Sequence, residues 1–179
     1  NLTRFVDPER VAVVPDTGFG VGRRLDRRSE AEFERLRVEA GWTGPYVILH
    51  AARGLEAFHR YLRKHAAHWG ELRFLVLPIG PAIGDDSAIP DADLPGLMCL
   101  PSWPHPLLLA ELIGRAEAVV GYSYHLAITA LVAGVPVFAP SNIVTGKYAA
   151  LEAFDTIHPL PGENDPDPDW FKSRLGKTA

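Results

Sequence analysis

The sequence predicts an α/β domain built on an open, parallel, doubly wound (Rossmann-like) sheet with helices on both faces. Two observations support this fold class. Between Tyr46 and Phe154, short apolar runs alternate with segments whose apolar residues recur every three or four positions. Within that stretch, residues 118–139 have the pattern of a βαβ unit, which joins two parallel strands. We expect about four or five strands in the core of the sheet.

The composition is that of a single globular domain. The chain has 179 residues, of which 47% are hydrophobic and 22% are charged, enough for one core. The net charge of −4 leaves no basic stripe, so nucleic-acid binding is not expected. No apolar run is long enough to span a membrane. A single cysteine, Cys99, and a polar start without a signal peptide favour a cytoplasmic protein.

Residues 1–45 are predicted to form a lead-in to this domain. Val11–Val14 is a candidate strand, and residues 18–22 are predicted to be a flexible glycine-rich linker, because they lack the Lys-Ser/Thr ending of a phosphate-binding loop. A helix follows, in which Ser29 and Glu32 have the pattern of a capping box. Its buried face is expected to carry Phe33, Leu36 and Ala40.

Residues 46–157 are predicted to hold the sheet. Residues 158–179 are predicted to form an acidic, proline-rich tail that is extended or disordered, with Trp170 and Phe171 as the side chains that could dock. The first helix of the domain is predicted to run from Leu55 to Trp69. A last helix is predicted to begin near Thr145 and to bury Ala149, Leu151 and Phe154. The candidate strands are residues 46–50, 72–78, 96–100, 118–121 and 135–139.

A polar turn of sequence Tyr-Ser-Tyr-His, residues 122–125, follows the strand that ends at Gly121. Ligands of parallel sheets bind beyond the carboxyl ends of the strands, where this turn is expected to lie. Ser123 has the position of a helix N-cap, and the first N–H groups and the dipole of the following helix favour an anion. His125 and Lys147 can add positive charge. The residues alone therefore predict an anion site at this edge of the sheet.

The same stretch resembles a known family. Gly121–Val137 has the sequence GYSYHLAITALVAGVPV and is followed ten residues later by Lys147, which is similar to the C-terminal motif of polysaccharide pyruvyl transferases. Residues 13–19 are similar to the Pro-Asp-x-x-Phe stretch of that family, and residues 46–53 to the strand and Arg-bearing loop that open its C-terminal domain. The resemblance covers most of this chain but only the C-terminal half of a typical member.

The resemblance implies the C-terminal, GT-B-like domain of a two-domain transferase, with the N-terminal domain missing from this chain. The implied reaction moves a pyruvyl group from phosphoenolpyruvate to two hydroxyls of a sugar acceptor in a surface polysaccharide or exopolysaccharide. By the same resemblance, His125 is the expected catalytic residue. The expected substrate-binding residues are Arg53, Gly121, Ser123, Tyr124 and Lys147.

One departure from the family pattern leaves alternatives open. Many members carry Arg where this chain has Ser123, and Tyr124 stands in place of Leu, so a bidentate anion clamp is absent. A GT-B glycosyltransferase domain that binds a nucleotide sugar is one alternative, and a non-catalytic scaffold module is another. Neither Asp85-Asp86 nor the histidines of the first helix have the pattern of a metal site, and no metal or cofactor is expected.

Overall fold

The computed structural model describes residues 20, 25–51, 54–78, 94–100, 103–121, 123–140, 151, 154–161 and 165–176. The strands in this part of the chain are β1 (Tyr46–Ala51), β2 (Arg73–Pro78), β3 (Leu97–Cys99), β4 (Ala118–Val120), β5 (Val137–Ala139) and β6 (Ile157–Pro159). The α-helices are α1 (Arg27–Glu39), α2 (Glu56–Lys64), α3 (Pro106–Gly114), α4 (Tyr124–Val132) and α5 (Pro168–Lys172). The predicted strand at Val11–Val14 lies outside the described residues.

The six strands form one parallel sheet in the order β3-β2-β1-β4-β5-β6. Strand order therefore reverses between β1 and β4, where Leu49 lies opposite Val120. A reversal of this kind is the switch point at which doubly wound folds open a crevice. The predicted fold class is confirmed, with one strand more than the sequence indicated.

Helices cover both faces of the sheet because the side chains of β1 alternate between two buried clusters. Tyr46 and Ile48 pack in the cluster that contains residues of α1, α3 and α4. Val47 and Leu49 pack in the other cluster, with residues of α2 and α5. All six residues of β1 are buried, as expected of a central parallel strand.

The start of α1 differs from the prediction. Asp26 is the N-cap, and its Oδ1 accepts hydrogen bonds from the backbone N–H groups of Arg28 and Ser29 at 2.9 and 3.0 Å. Ser29 is the third helical residue and completes the capping box by accepting from the N–H of Asp26 at 3.1 Å. The predicted box at Ser29 and Glu32 is wrong because a carboxylate three residues earlier caps the first turn. Phe33 is buried as expected, whereas Ala40 is exposed.

Helix α2 ends earlier than predicted. It stops at Lys64, and a 3-10 turn at Ala66–His68 leads to Trp69. The Trp69 indole is buried, and its Nε1–H donates to the carbonyl of Leu62 at 2.7 Å. This bond satisfies a carbonyl that the end of the helix leaves without an intrahelical partner.

The C-terminal residues are more ordered than the sequence indicated. Strand β6 pairs with β5, and the N-cap of α5 is Asp167, whose carboxylate accepts from the N–H of Asp169 at 2.8 Å. The Phe171 side chain is fully buried. The predicted extended or disordered tail is therefore wrong for the described residues, because one aromatic side chain anchors the segment. The domain boundaries at residues 45 and 157 stay predictions.

The predicted last helix lies mostly outside the described residues. Of the side chains it was expected to bury, Leu151 is buried and Phe154 is 37% exposed. The expectation for Phe154 is wrong because this residue lies in the connection that enters the edge strand β6, where its backbone carbonyl accepts from the N–H of Ile157 at 3.2 Å.

Arg115, at the end of α3, links that helix to α1. Its Nε donates to Oε1 of Glu111 at 2.7 Å, and one terminal nitrogen donates to Oε1 of Glu30 at 3.2 Å. The guanidinium also lies 4.7 Å from the ring centroid of Phe33. Glu111 is only 8% exposed, so its carboxylate depends on this partner.

We expect Arg115→Ala to lower the free energy of unfolding by about 2 kcal/mol, because it leaves the Glu111 carboxylate buried without its cation. Urea denaturation followed by circular dichroism measures this change. Glu30→Ala is the matched control, since it removes only an exposed ion pair and should cost less than about 0.5 kcal/mol. Equal costs for the two variants would show that pairing Arg115 with the buried Glu111 contributes no stability beyond that of the exposed ion pair with Glu30.

Candidate functional site

The switch point of the sheet lies between the carboxyl ends of β1 and β4. His50 and Ala51 end β1, and Gly121 follows the last residue of β4. Helix α4 begins three residues after Gly121, so its N-terminus opens at this edge of the sheet. Backbone donors and the positive end of a helix dipole are therefore presented where this class of fold binds its ligands.

Gly121 allows β1 and β4 to approach closely at this point. Its N–H donates to the carbonyl of Phe138 at 2.9 Å, and the residue is buried. A Cβ atom added to Gly121 would lie 2.4 Å from Cβ of His50 and 3.1 Å from its Nδ1. The φ angle of +148° also favours glycine. The backbone at Gly121 therefore lies close against the His50 side chain.

Ser123 is the N-cap of α4 by position, and its carbonyl accepts the first helical bond, from Ala127 N–H at 3.0 Å. Within the described α4, its hydroxyl accepts no hydrogen bond from the first turn. The predicted position of Ser123 as the N-cap is therefore confirmed. The Ser123 hydroxyl and the first-turn N–H groups form no hydrogen bond with each other. A ligand could therefore supply the acceptor for both.

Tyr124 and His125 occupy the first turn of α4. The Tyr124 ring is partly buried against the core, and the His125 side chain is exposed. The two rings meet edge to face, with centroids 5.8 Å apart. The backbone of this turn is held by Thr129, whose Oγ1–H donates to the His125 carbonyl at 2.8 Å. A rigid turn thus carries a solvent-facing histidine beside the switch point.

The sequence model of the polysaccharide pyruvyl transferase family matches residues 2–142. The chain belongs to this family. No curated protein matches the sequence at a significant level.

Solved structures similar to this family member include UDP-GlcNAc 2-epimerases. UDP-GlcNAc 2-epimerase from Neisseria meningitidis, bound to UDP-GlcNAc, aligns with a TM-score of 0.66 at 13% identity over 99% of this chain and 52% of that chain. The enzyme from Methanocaldococcus jannaschii, in complex with UDP-GlcNAc and UDP, gives 0.59 at 13% identity over 99% and 51%. A putative UDP-N-acetylglucosamine 2-epimerase from Listeria monocytogenes gives 0.60 at 12% identity over 92% and 45%.

At such identities these similarities establish the fold alone, which is GT-B-like. The chain spans about half the length of each of these structures. For this pyruvyl transferase family member, the fold alone does not identify the ligand of the switch point.

Four of the predicted site residues of this family member lie along one turn. Gly121, Ser123, Tyr124 and His125 lead from the end of β4 into α4. Arg53 and Lys147 lie outside the described residues, so convergence of these two cations with the turn stays a prediction.

Sequence reasoning placed His50 at the end of the predicted strand 46–50 and did not include it among the site residues. The residue belongs to β1 and is 4% exposed. A histidine at the end of an otherwise apolar strand was the available signal. Its contact with Gly121 could not be read from the sequence, because it depends on β1 and β4 being neighbours.

A separate groove of about 370 Å³ lies at the opposite, amino-terminal edge of the sheet. It is lined by Pro45, Trp69, Glu71, Leu72, Glu117, Lys172 and Leu175. These residues precede β1, β2 and β4 or belong to the C-terminal segment, so the groove is not part of the switch point. Among the described residues, no group of three or more His, Cys, Asp or Glu side chains could hold a metal ion. In the same part of the chain, no helix has the length and apolar character needed to cross a membrane.

Proposed function

We propose that this chain is the donor-binding half of a polysaccharide pyruvyl transferase, which binds phosphoenolpyruvate for ketal transfer onto a sugar of a surface polysaccharide. The observation that carries the proposal is the uncapped first turn of α4, with His125 exposed on it, at the switch point of a chain of this family. A helix N-terminus with a histidine is not specific for phosphoenolpyruvate by itself, so the choice of this donor depends on the family.

Phosphoenolpyruvate suits this turn because it carries two anionic groups. Either its carboxylate or its phosphate can accept hydrogen bonds from the first-turn N–H groups of α4 and from the Ser123 hydroxyl. The helix dipole adds about 0.3–1 kcal/mol for an anion at this position. This alone gives weak binding, so the proposal assigns the remaining charge compensation to His125 and to the two predicted cations, Arg53 and Lys147.

The proposed reaction forms two C–O bonds at carbon 2 of phosphoenolpyruvate. The first acceptor hydroxyl adds to this carbon while the methylene carbon takes up a proton and becomes a methyl group. The second hydroxyl then displaces phosphate and loses its own proton. Each addition needs a proton donor or acceptor within reach, and histidine is the side chain used most often for that task. We assign this role to His125, the exposed histidine of the turn.

A nucleotide-sugar donor is the second candidate. It is favoured by the Neisseria meningitidis and Methanocaldococcus jannaschii structures, whose folds match this chain and which hold UDP-GlcNAc. A diphosphate can bind the same helix N-terminus as a phosphoenolpyruvate phosphate. Many family members carry Arg at the position of Ser123, and the absence of that Arg here weakens the case for the pyruvyl donor. A non-catalytic module of the same fold would bind neither ligand.

Calorimetric titration with phosphoenolpyruvate tests the proposal. We expect wild-type protein to bind it and His125→Ala to bind at least about tenfold more weakly, the loss expected for one hydrogen bond to a charged group. The matched control is His68→Ala, which removes an exposed histidine far along the chain from the turn and should leave the affinity unchanged.

The alternatives give different results in the same experiment. UDP and UDP-GlcNAc are titrated in parallel with phosphoenolpyruvate. Binding of UDP-GlcNAc without binding of phosphoenolpyruvate would replace the proposal by a nucleotide-sugar enzyme. Binding of none of the three would favour a scaffold module. Equal phosphoenolpyruvate affinity in wild type and His125→Ala would support phosphoenolpyruvate as the donor and show that His125 does not contribute to binding it.

A further inference from the structure

His50 is a buried histidine at the switch point that the proposed chemistry does not use. Its side chain is 4% exposed, and both ring nitrogens are shielded from solvent. The other residues of β1 from Val47 onward are aliphatic. Burial of an imidazole costs more than burial of an aliphatic side chain. Its location at this strand end therefore points to a role beyond filling the core.

The side chain of His50 lies on the α4 face of the sheet. Side chains of a strand alternate between the two faces, so His50 shares a face with Tyr46 and Ile48. Those two residues pack in the cluster that contains Leu126 and Ala127 of α4. The ring is thus placed below the start of α4, at the strand end where that helix begins.

The ring also contacts the turn that leads into α4. At Gly121 a Cβ would come within 2.4 Å of Cβ, 3.1 Å of Cγ and 3.1 Å of Nδ1 of His50, so there is no room for a side chain between this backbone and the ring. The N–H of Gly121 is tied to Phe138 on the neighbouring strand at 2.9 Å. Gly121 is therefore held between β5 and the imidazole, and Ser123, two positions later in the sequence, is the N-cap of α4.

We propose that His50 is a positioning residue for the site at the N-terminus of α4. Its ring supports Gly121 from below and so sets where Ser123 and the first-turn N–H groups stand relative to the sheet. The shielded ring nitrogens mean that it acts through the turn and not by touching the donor. The identity of the ligand in this inference rests on the proposed function, whereas the positioning of the turn does not.

The test compares two substitutions at this position. His50→Ala removes the ring, and His50→Leu keeps Cβ, Cγ and atoms near the position of Nδ1 without the nitrogens. Backbone amide chemical shifts of Gly121 and residues 123–127 report the position of the turn without any ligand. We expect these shifts to move in His50→Ala and to stay close to wild type in His50→Leu. If His50→Ala does not fold, His50→Val, which shortens the side chain and retains strand propensity, replaces it.

Val47→Ala is the matched control for loss of stability. Val47 is buried in the same strand, but its side chain packs on the opposite face of the sheet. We expect it to lower stability without moving the amide shifts of residues 121–127. Equal changes in amide shifts in Val47→Ala and in His50→Ala (or His50→Val) would show that His50 acts only as a core residue. That result would overturn the inference.

Titration with phosphoenolpyruvate then separates this inference from the proposed function. We expect an affinity at least about tenfold weaker in His50→Ala and near wild type in His50→Leu. A tenfold loss in His50→Leu with unmoved amide shifts would mean that a ring nitrogen touches the donor, which overturns the positioning role. If wild type does not bind phosphoenolpyruvate but the shifts respond as expected, the proposed function fails and the positioning role stands.

Discussion

Phe171→Ala is expected to lower the free energy of unfolding by about 3–5 kcal/mol, the range for removal of a fully buried phenylalanine ring. Phe171 is 0% exposed and is surrounded by aromatic rings from three parts of the chain. Its ring centroid lies 4.7 Å from that of Phe138, 5.6 Å from Phe58 and 5.9 Å from Trp69. Removal of the ring would leave a cavity among these aromatic side chains. Urea denaturation followed by tryptophan fluorescence measures the loss.

Lys172→Ala is the control for this prediction, because Lys172 follows Phe171 in α5 and is exposed. Its effect should stay within about 0.5 kcal/mol. Limited proteolysis gives a second readout, since release of α5 should make residues 165–176 susceptible to cleavage in Phe171→Ala before the domain unfolds. A cost below about 1 kcal/mol for Phe171→Ala would mean that α5 is not part of the core.

The C-terminal segment is ordered although its composition is typical of a disordered chain. Acidic residues and prolines dominate residues 161–169, so the average over the segment predicts no buried surface. One phenylalanine is nevertheless enough to hold a five-residue helix, because Asp167 caps it and Pro168 begins it. The carboxylate of Asp165 adds a bond from Lys64, which lowers the pKa of Asp165. The capping Asp167 and the helix-starting Pro168 can be recognised in the sequence. The site on the domain where Phe171 packs cannot.

The sheet could be predicted because central parallel strands are buried on both faces and are therefore continuously apolar. Strand β1 has this pattern, and all six of its residues are buried. Strand β6 was missed because it is short, lies at the edge of the sheet and ends in Pro159. A three-residue run with a histidine and a proline carries too little periodicity to be distinguished from a loop.

The site could be predicted in part for a related reason. The turn at residues 122–125 follows an apolar strand, and the carboxyl ends of parallel strands share one edge, so its general location followed from the fold class. The contact between His50 and Gly121 did not follow, because residues far apart in sequence meet only through the strand order β2-β1-β4. A side-chain role that depends on which strands are neighbours needs the structure.

Gly121→Ala is expected to lower the free energy of unfolding by about 4 kcal/mol and to weaken any ligand bound at the α4 N-terminus. Two costs add in this substitution. The new Cβ would lie 2.4 Å from Cβ of His50, so β1 or β4 must shift, which typically costs about 1–3 kcal/mol. The φ angle of +148° is one that residues with a Cβ rarely adopt, at a further cost of about 1–3 kcal/mol. Urea denaturation measures their sum.

A matched control and a second-site change separate these two costs. Gly41→Ala places a Cβ at a positive φ of +61° with no atom within 4 Å, so it should cost only about 1–2 kcal/mol for the backbone conformation. In the double variant His50→Gly with Gly121→Ala, the atoms that the new Cβ would strike are absent. Its stability loss should therefore be smaller than the sum of the two single losses, which is the coupling expected of residues in contact. Additive losses, or equal costs for Gly121→Ala and Gly41→Ala, would mean that His50 does not limit residue 121, and the support of the α4 turn by the imidazole would have to be abandoned.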